Sequence, residues 1–114
     1  MVPQKQYACN RFYLSANDVI NQNTVVILNQ EGFYLEHSPL SGERPYVEWL
    51  GGIFFLLPQQ ILTPCGHEED FFQWYPTVCP AWVKEIKYRL WSIHIVSRNH
   101  ANKSDRIVFR CLGK

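Results

Sequence analysis

YVEWLGGIFFLLPQQILTPC, residues 46–65, contains the most apolar run of the chain, GGIFFLLP at 51–58. Residues 53–57 are apolar at every position. They lack both the alternation of a half-exposed strand and the 3.6-residue period of a surface helix. That pattern predicts a strand buried on both faces at the centre of a sheet. Gly51 and Gly52 mark a bend, a bulge or a close backbone approach just before it. Pro58 cannot donate to a ladder and ends the strand. A bilayer span needs about 20 apolar residues, so the run is a core element and no membrane association is expected. Residues 46–49 lead into this strand, and 59–63 offer one further short element.

The remaining segments read as covers for that strand. Residues 7–14 carry apolar side chains on both parities and suit a first strand. Ser15 and Asp18 fit the S-x-x-D capping box, which predicts a short helical turn over 16–21. Residues 24–28 (TVVIL) and 33–37 flank the turn Asn29-Gln30-Glu31-Gly32, a β-hairpin pattern. In the second arm Phe33, Leu35 and His37 alternate against Tyr34 and Glu36. Residues 38–45 (SPLSGERP) form a Pro/Gly/Ser loop. Residues 86–97 predict a long strand whose second face turns apolar from Trp91 onward, as though it entered the centre of a sheet partway along or carried a bulge near Ser92. Residues 98–105 are a polar turn, and 106–112 return as the last strand.

Residues 64–80 (PCGHEEDFFQWYPTVCP) follow no clear period. So long an irregular stretch in a small domain is functional or hides a short helix. Phe71, Trp74 and Tyr75 fall at i, i+3 and i+4, so the hidden helix is placed over 68–75. The sum is a single domain over residues 1–114, mainly β. It is expected to be a small antiparallel sandwich or barrel with one or two short helical segments. The alternative is an α+β fold with one antiparallel sheet.

With 114 residues, 46% hydrophobic and 18% charged, the chain suits one folded domain and not a disordered one. The first ten residues hold no apolar h-region, so the expected location is cytoplasmic. There Cys9, Cys65, Cys79 and Cys111 are expected to be reduced, and burial alone accounts for them.

Three clusters bear on chemistry. Cys65, His67 and Cys79 are types that zinc uses, but C-x-H with one distant Cys lacks the paired-knuckle spacing, so no metal or other cofactor is assigned. His67 beside Glu68, Glu69 and Asp70 could supply a general acid and base; the plainer reading is the acidic first turn of a solvated helix. The nucleophile-elbow, P-loop, zincin and dinucleotide motifs are absent. The aromatic set Phe71, Phe72, Trp74, Tyr75 and Trp82 is the stronger signal. Phe71 and Phe72 cannot both face inward, so some rings must reach a surface or line a pocket.

Charge divides along the chain. Residues 1–83 hold three basic and eight acidic side chains, whereas 84–114 hold eight basic and two acidic. Lys84, Lys87, Arg89, Arg98, Lys103, Arg106, Arg110 and Lys114 gather on or beside the last hairpin. A basic ribbon of this kind can bind nucleic acid, guard an exposed edge, or meet the acidic half of the same or a second copy in a homodimer. The near-neutral total makes nucleic acid the least favoured of these. The leading expectation is a non-catalytic binding module for a small molecule or a protein partner. Trp74, Tyr75 and Trp82 would be its anchors, with His67, Glu68 and Asp70 setting polarity. The alternatives are a small enzyme using His67 with a neighbouring carboxylate, and a nucleic-acid binder acting through the basic hairpin.

Overall fold

A computed structural model describes residues 5–42, 46–61, 71–97 and 105–112, with side chains for all but 94–97 and 105–107. The strands are β1 (Lys5–Cys9), β2 (Arg11–Ser15), β3 (Asp18–Ile20), β4 (Thr24–Leu28), β5 (Tyr34–Pro39), β6 (Val47–Trp49), β7 (Ile53–Pro58), β8 (Tyr88–Ser97) and β9 (Asp105–Leu112). One helix, α1 (Phe71–Val78), precedes β8. The strands form a four-stranded sheet, β5-β4-β1-β6, and a five-stranded sheet, β3-β2-β7-β8-β9. The result is a small sandwich, mostly antiparallel, with one short helix.

The apolar run is the central strand the sequence predicts. β7 lies third of five, between β2 and β8. The two glycines before it do more than bend the chain, because they move it from one sheet to the other. β1 and β2 are consecutive strands interrupted at Asn10, and β6 and β7 are consecutive strands interrupted at Gly51 and Gly52. β1 pairs parallel with β6 in the first sheet; β2 pairs parallel with β7 in the second. Both strand pairs cross at the same point. The Asn10 side-chain Oδ1 accepts the Gly52 N–H at 2.7 Å, while the Gly52 carbonyl accepts the N–H groups of Asn10 and Arg11 at 3.0 and 3.2 Å. Gly51 and Gly52 have φ of 71° and 74°, a region glycine enters without a Cβ penalty. The stretch at 7–14 is therefore two strands of different sheets, not one.

The non-alternating strands are explained by three layers. Register puts Phe12, Phe54 and Leu56 on one face of the five-stranded sheet, toward β4 and β5, and Tyr13, Phe55 and Trp91 on the other. α1 covers that second face: Phe71 lies 4.7 Å from the Phe55 ring centroid, and Tyr75 meets Tyr13 and Phe55 edge-on. Leu90 to Ile93 sit between β7 and β9 and are buried on both faces. That is why the predicted strand turns apolar on both sides partway along. It starts at Tyr88, and Ile86 is left exposed.

Two local expectations change. Residues 16–21 form no helical turn. Ser15 Oγ donates to Asp18 Oδ2 at 3.2 Å, but the bond closes the β2–β3 hairpin, where Ser15 pairs with Asp18. β-branched Val19 and Ile20, and a β2 edge needing a partner, outweigh one capping signal. The helix spans Phe71–Val78 among the described residues and contains Pro76. Residues 68–70 of its expected range lie outside them, as do the loop residues 43–45 and the turn 98–104. The hairpins β4–β5 and β8–β9 form as expected.

Replacing Gly52 with Ala should test the crossing. A Cβ there would sit 3.2 Å from the Ile93 carbonyl oxygen and force an L-residue to positive φ. Urea denaturation should show a loss of about 1–3 kcal/mol; an unchanged midpoint would mean that the crossing is free to relax.

Candidate functional site

Of the six side chains singled out in the sequence, three are described. His67, Glu68 and Asp70, together with Cys65, lie outside the described residues. Trp74 is half-buried on α1, its ring 6.2 Å from Phe71. Tyr75 is a core ring, 2% exposed, whose hydroxyl donates to the Leu56 carbonyl at 2.9 Å. Burial drives its hydroxyl pKa far up, so it stays a neutral donor. Phe71 is fully buried and its neighbour Phe72 is 52% exposed, the opposed pair the sequence requires. Cys79 packs beneath the same helix with its Sγ 3.8 Å from the Leu14 carbonyl, and burial raises its thiol pKa. The Cys9 thiol is pushed up to about 12 by burial. Neither is a reactive thiolate at neutral pH.

Trp82 leads to a site the sequence does not show. Its ring meets Tyr34 edge-on at 6.2 Å and stacks on Tyr88 at 6.3 Å. Tyr34 in turn bonds to Nδ1 of His37 at 2.7 Å, and Phe12 packs against both rings. In a regular strand, residues three apart point to opposite faces. Here Ile27 pairs with Glu36 and Leu28 with Tyr34, so Leu35 is an extra residue in β5. The bulge reverses the alternation and brings Tyr34 onto the His37 face. The alternation read at 33–37 is overturned by that one residue, and β-bulges commonly re-aim side chains this way.

The electrostatics of the pair are set by burial. Desolvation pushes Tyr34 up to about 12, with the Glu36 carboxylate adding to it. Desolvation also lowers the His37 pKa, and the opposing pull of Glu36 does not cancel it. Near neutral pH the ring is therefore uncharged, and in its Nε2–H tautomer it accepts the Tyr34 hydroxyl proton. A histidine base is ordinarily oriented by a carboxylate or carbonyl on its second nitrogen. Among the described residues none bonds to His37. The cluster presents rings and one fixed polar edge.

The connection at residues 80–87 borders this cluster. Every residue in it is exposed, including the apolar Trp82, Val83 and Ile86 at 37%, 40% and 37%. It is nevertheless held from behind. The Val83 N–H donates to the Tyr88 hydroxyl at 2.9 Å, and the Ile86 N–H to the Val83 carbonyl at 3.2 Å. Two cations of the basic hairpin are also committed: Lys87 Nζ and the Arg89 guanidinium lie 5.3 and 4.5 Å from the centroid of the Phe33 ring. Among the described residues no three His, Cys, Asp or Glu side chains gather as a metal site, and no helix is long and apolar enough to cross a membrane.

Two variants test these assignments. Tyr75→Phe keeps the ring and removes the bond to Leu56, and should lower stability by about 1 kcal/mol in denaturant titration. The lowered His37 pKa means that the unfolded chain protonates first as pH falls. The contribution of His37 is intact above 6.5, its reference value, and is lost as pH falls through the folded value. Stability of the native protein should therefore fall more between about pH 7.5 and pH 5 than that of His37→Gln. Parallel curves would place His37 in water.

No known protein-family model, no curated protein and no solved structure matches this chain.

Proposed function

We propose that the protein is a non-catalytic binding module. It recognises a small molecule or a partner protein through its aromatic-rich segment, with Trp82 as the anchor. The observation that carries this reading is the surface at residues 80–87. Trp82, Val83 and Ile86 are all more than a third exposed, yet the ring and backbone of this loop are fixed on Tyr34 and Tyr88. Apolar side chains held at a surface favour association, because little freedom remains to be lost on binding. Tryptophan is enriched among residues that dominate binding energy. The neutral Tyr34–His37 pair beside it suits recognition better than proton transfer, since its two pKa values are displaced away from neutrality in opposite directions. Phe72 on α1 supplies further exposed ring surface, with half-buried Trp74 beside it.

A library of small molecules and short peptides, screened by ligand-observed NMR against the whole protein, tests the reading. Ligands found this way should bind Trp82→Ala at least about tenfold more weakly, as expected for a central anchor. Val83→Glu checks the same surface without disturbing the ring contacts and should weaken the same ligands. Full binding by both folded variants would refute the assignment.

A further inference from the structure

The crossing of the strand pairs leaves a depression of about 300 Å³, lined by Asn10, Arg11, Asn21, Gly52 and Ile53. It shares no residue with the Trp82 surface. We propose that this depression is a binding site for a small carboxylate carrying a short apolar body.

Register assembles the site. Arg11 pairs directly with Ile53 across β2 and β7, and directly paired residues share a face of the sheet. The β2–β3 pairing of Phe12 with Ile20, carried one step further, sets Asn21 opposite Arg11. Asn21, Arg11 and Ile53 therefore form one row, on the face opposite Phe12. Asn10 closes the row where the ladders are interrupted, and Gly52 contributes backbone without a side chain.

The lining is rich in donors and carries one positive charge. Asn10 Oδ1 is held by the Gly52 N–H and its Nδ2 by Asn23 Oδ1 at 3.2 Å, so the amide is fixed with one N–H left to give. Arg11 makes no side-chain hydrogen bond or ion pair among the described residues, and no acidic residue lines the depression. A guanidinium fork flanked by amide N–H groups matches the two oxygens of a carboxylate. Ile53, half-buried beside it, offers an apolar wall. Two residues along β2, about 7 Å away, Tyr13 meets the exposed ring of Phe72, which continues that apolar side.

The test is a titration of the whole protein with isobutyrate, followed by amide and arginine Nε–H correlation spectra. Isobutyramide (the neutral isostere) and inorganic phosphate are run in parallel. Isobutyrate should give saturable shifts confined to Asn10, Arg11, Asn21, Gly52 and Ile53, in the millimolar range. Arg11→Gln, an exposed position, should weaken it about tenfold with an unchanged melting temperature, and Arg11→Lys by less. If Arg11→Gln does not fold, the Arg11→Lys variant and the isostere decide. Equal binding of isobutyramide overturns the role of the cation. Equal binding of phosphate overturns the role of Ile53. Shifts that spread over the surface or never saturate overturn the site itself.

Discussion

The hydrogen bonds between Asn10 and Gly52 are the constraint on which the rest of the structure depends. At this point two neighbouring strand pairs leave one sheet and enter the other together. Without the side-chain amide of Asn10, the Gly52 N–H would lose the protein partner that ties the two interruptions together. With it, both sheets are stitched by continuous chain. This also explains two parallel pairings in a mostly antiparallel protein. β1–β2 and β6–β7 run side by side in the same direction, and the intervening chain supplies β3, β4 and β5.

The crossing forces a third layer. Once β7 occupies the middle of the five-stranded sheet, one of its faces meets the other sheet and the opposite face would stand bare. α1 is held to that face by tertiary packing, because Phe71 and Tyr75 fit over Phe55 and Tyr13. Further bonds hold the cover in place. The Tyr75 hydroxyl reaches the Leu56 carbonyl, and the Ala16 N–H donates to the Cys79 carbonyl at 2.8 Å. The aromatic content that suggests a binding surface is thus divided. Phe71 and Tyr75 close the core, while Phe72 and Trp82 remain outside.

The same division runs through the charges. The basic hairpin looks uniform in the sequence, but Lys87 and Arg89 lie over the buried ring of Phe33, where packing and cation–π attraction act together. Phe33 also bridges to Arg89 as an isolated antiparallel pair. This contact brings the start of β5 to β8, and so puts Tyr34 within reach of Trp82. A packing contact between sheets therefore positions the ring cluster proposed for recognition.

The sequence by itself determined the elements whose side-chain pattern is strictly local. The run at 53–57 read as a doubly buried strand, Gly51 and Gly52 as a bend, a bulge or a close backbone approach, the two hairpins followed from turn residues between strand-forming runs, and Phe71 and Phe72 had to oppose each other. The tertiary structure alone decided partnership and phase. The apolar stretch at 7–14 gave no sign of being split between sheets, because Asn10 matters only when Gly52 is opposite it. The capping signal at Ser15 and Asp18 was spent on a hairpin because β2 offered an edge. Leu35 became a bulge through pairing with β4, and that one-residue change of phase joined His37 to Tyr34. Periodicity records which way a side chain points relative to its neighbours along the chain. It carries no information about which distant strand fixes the register, and in this fold the register decides the surface.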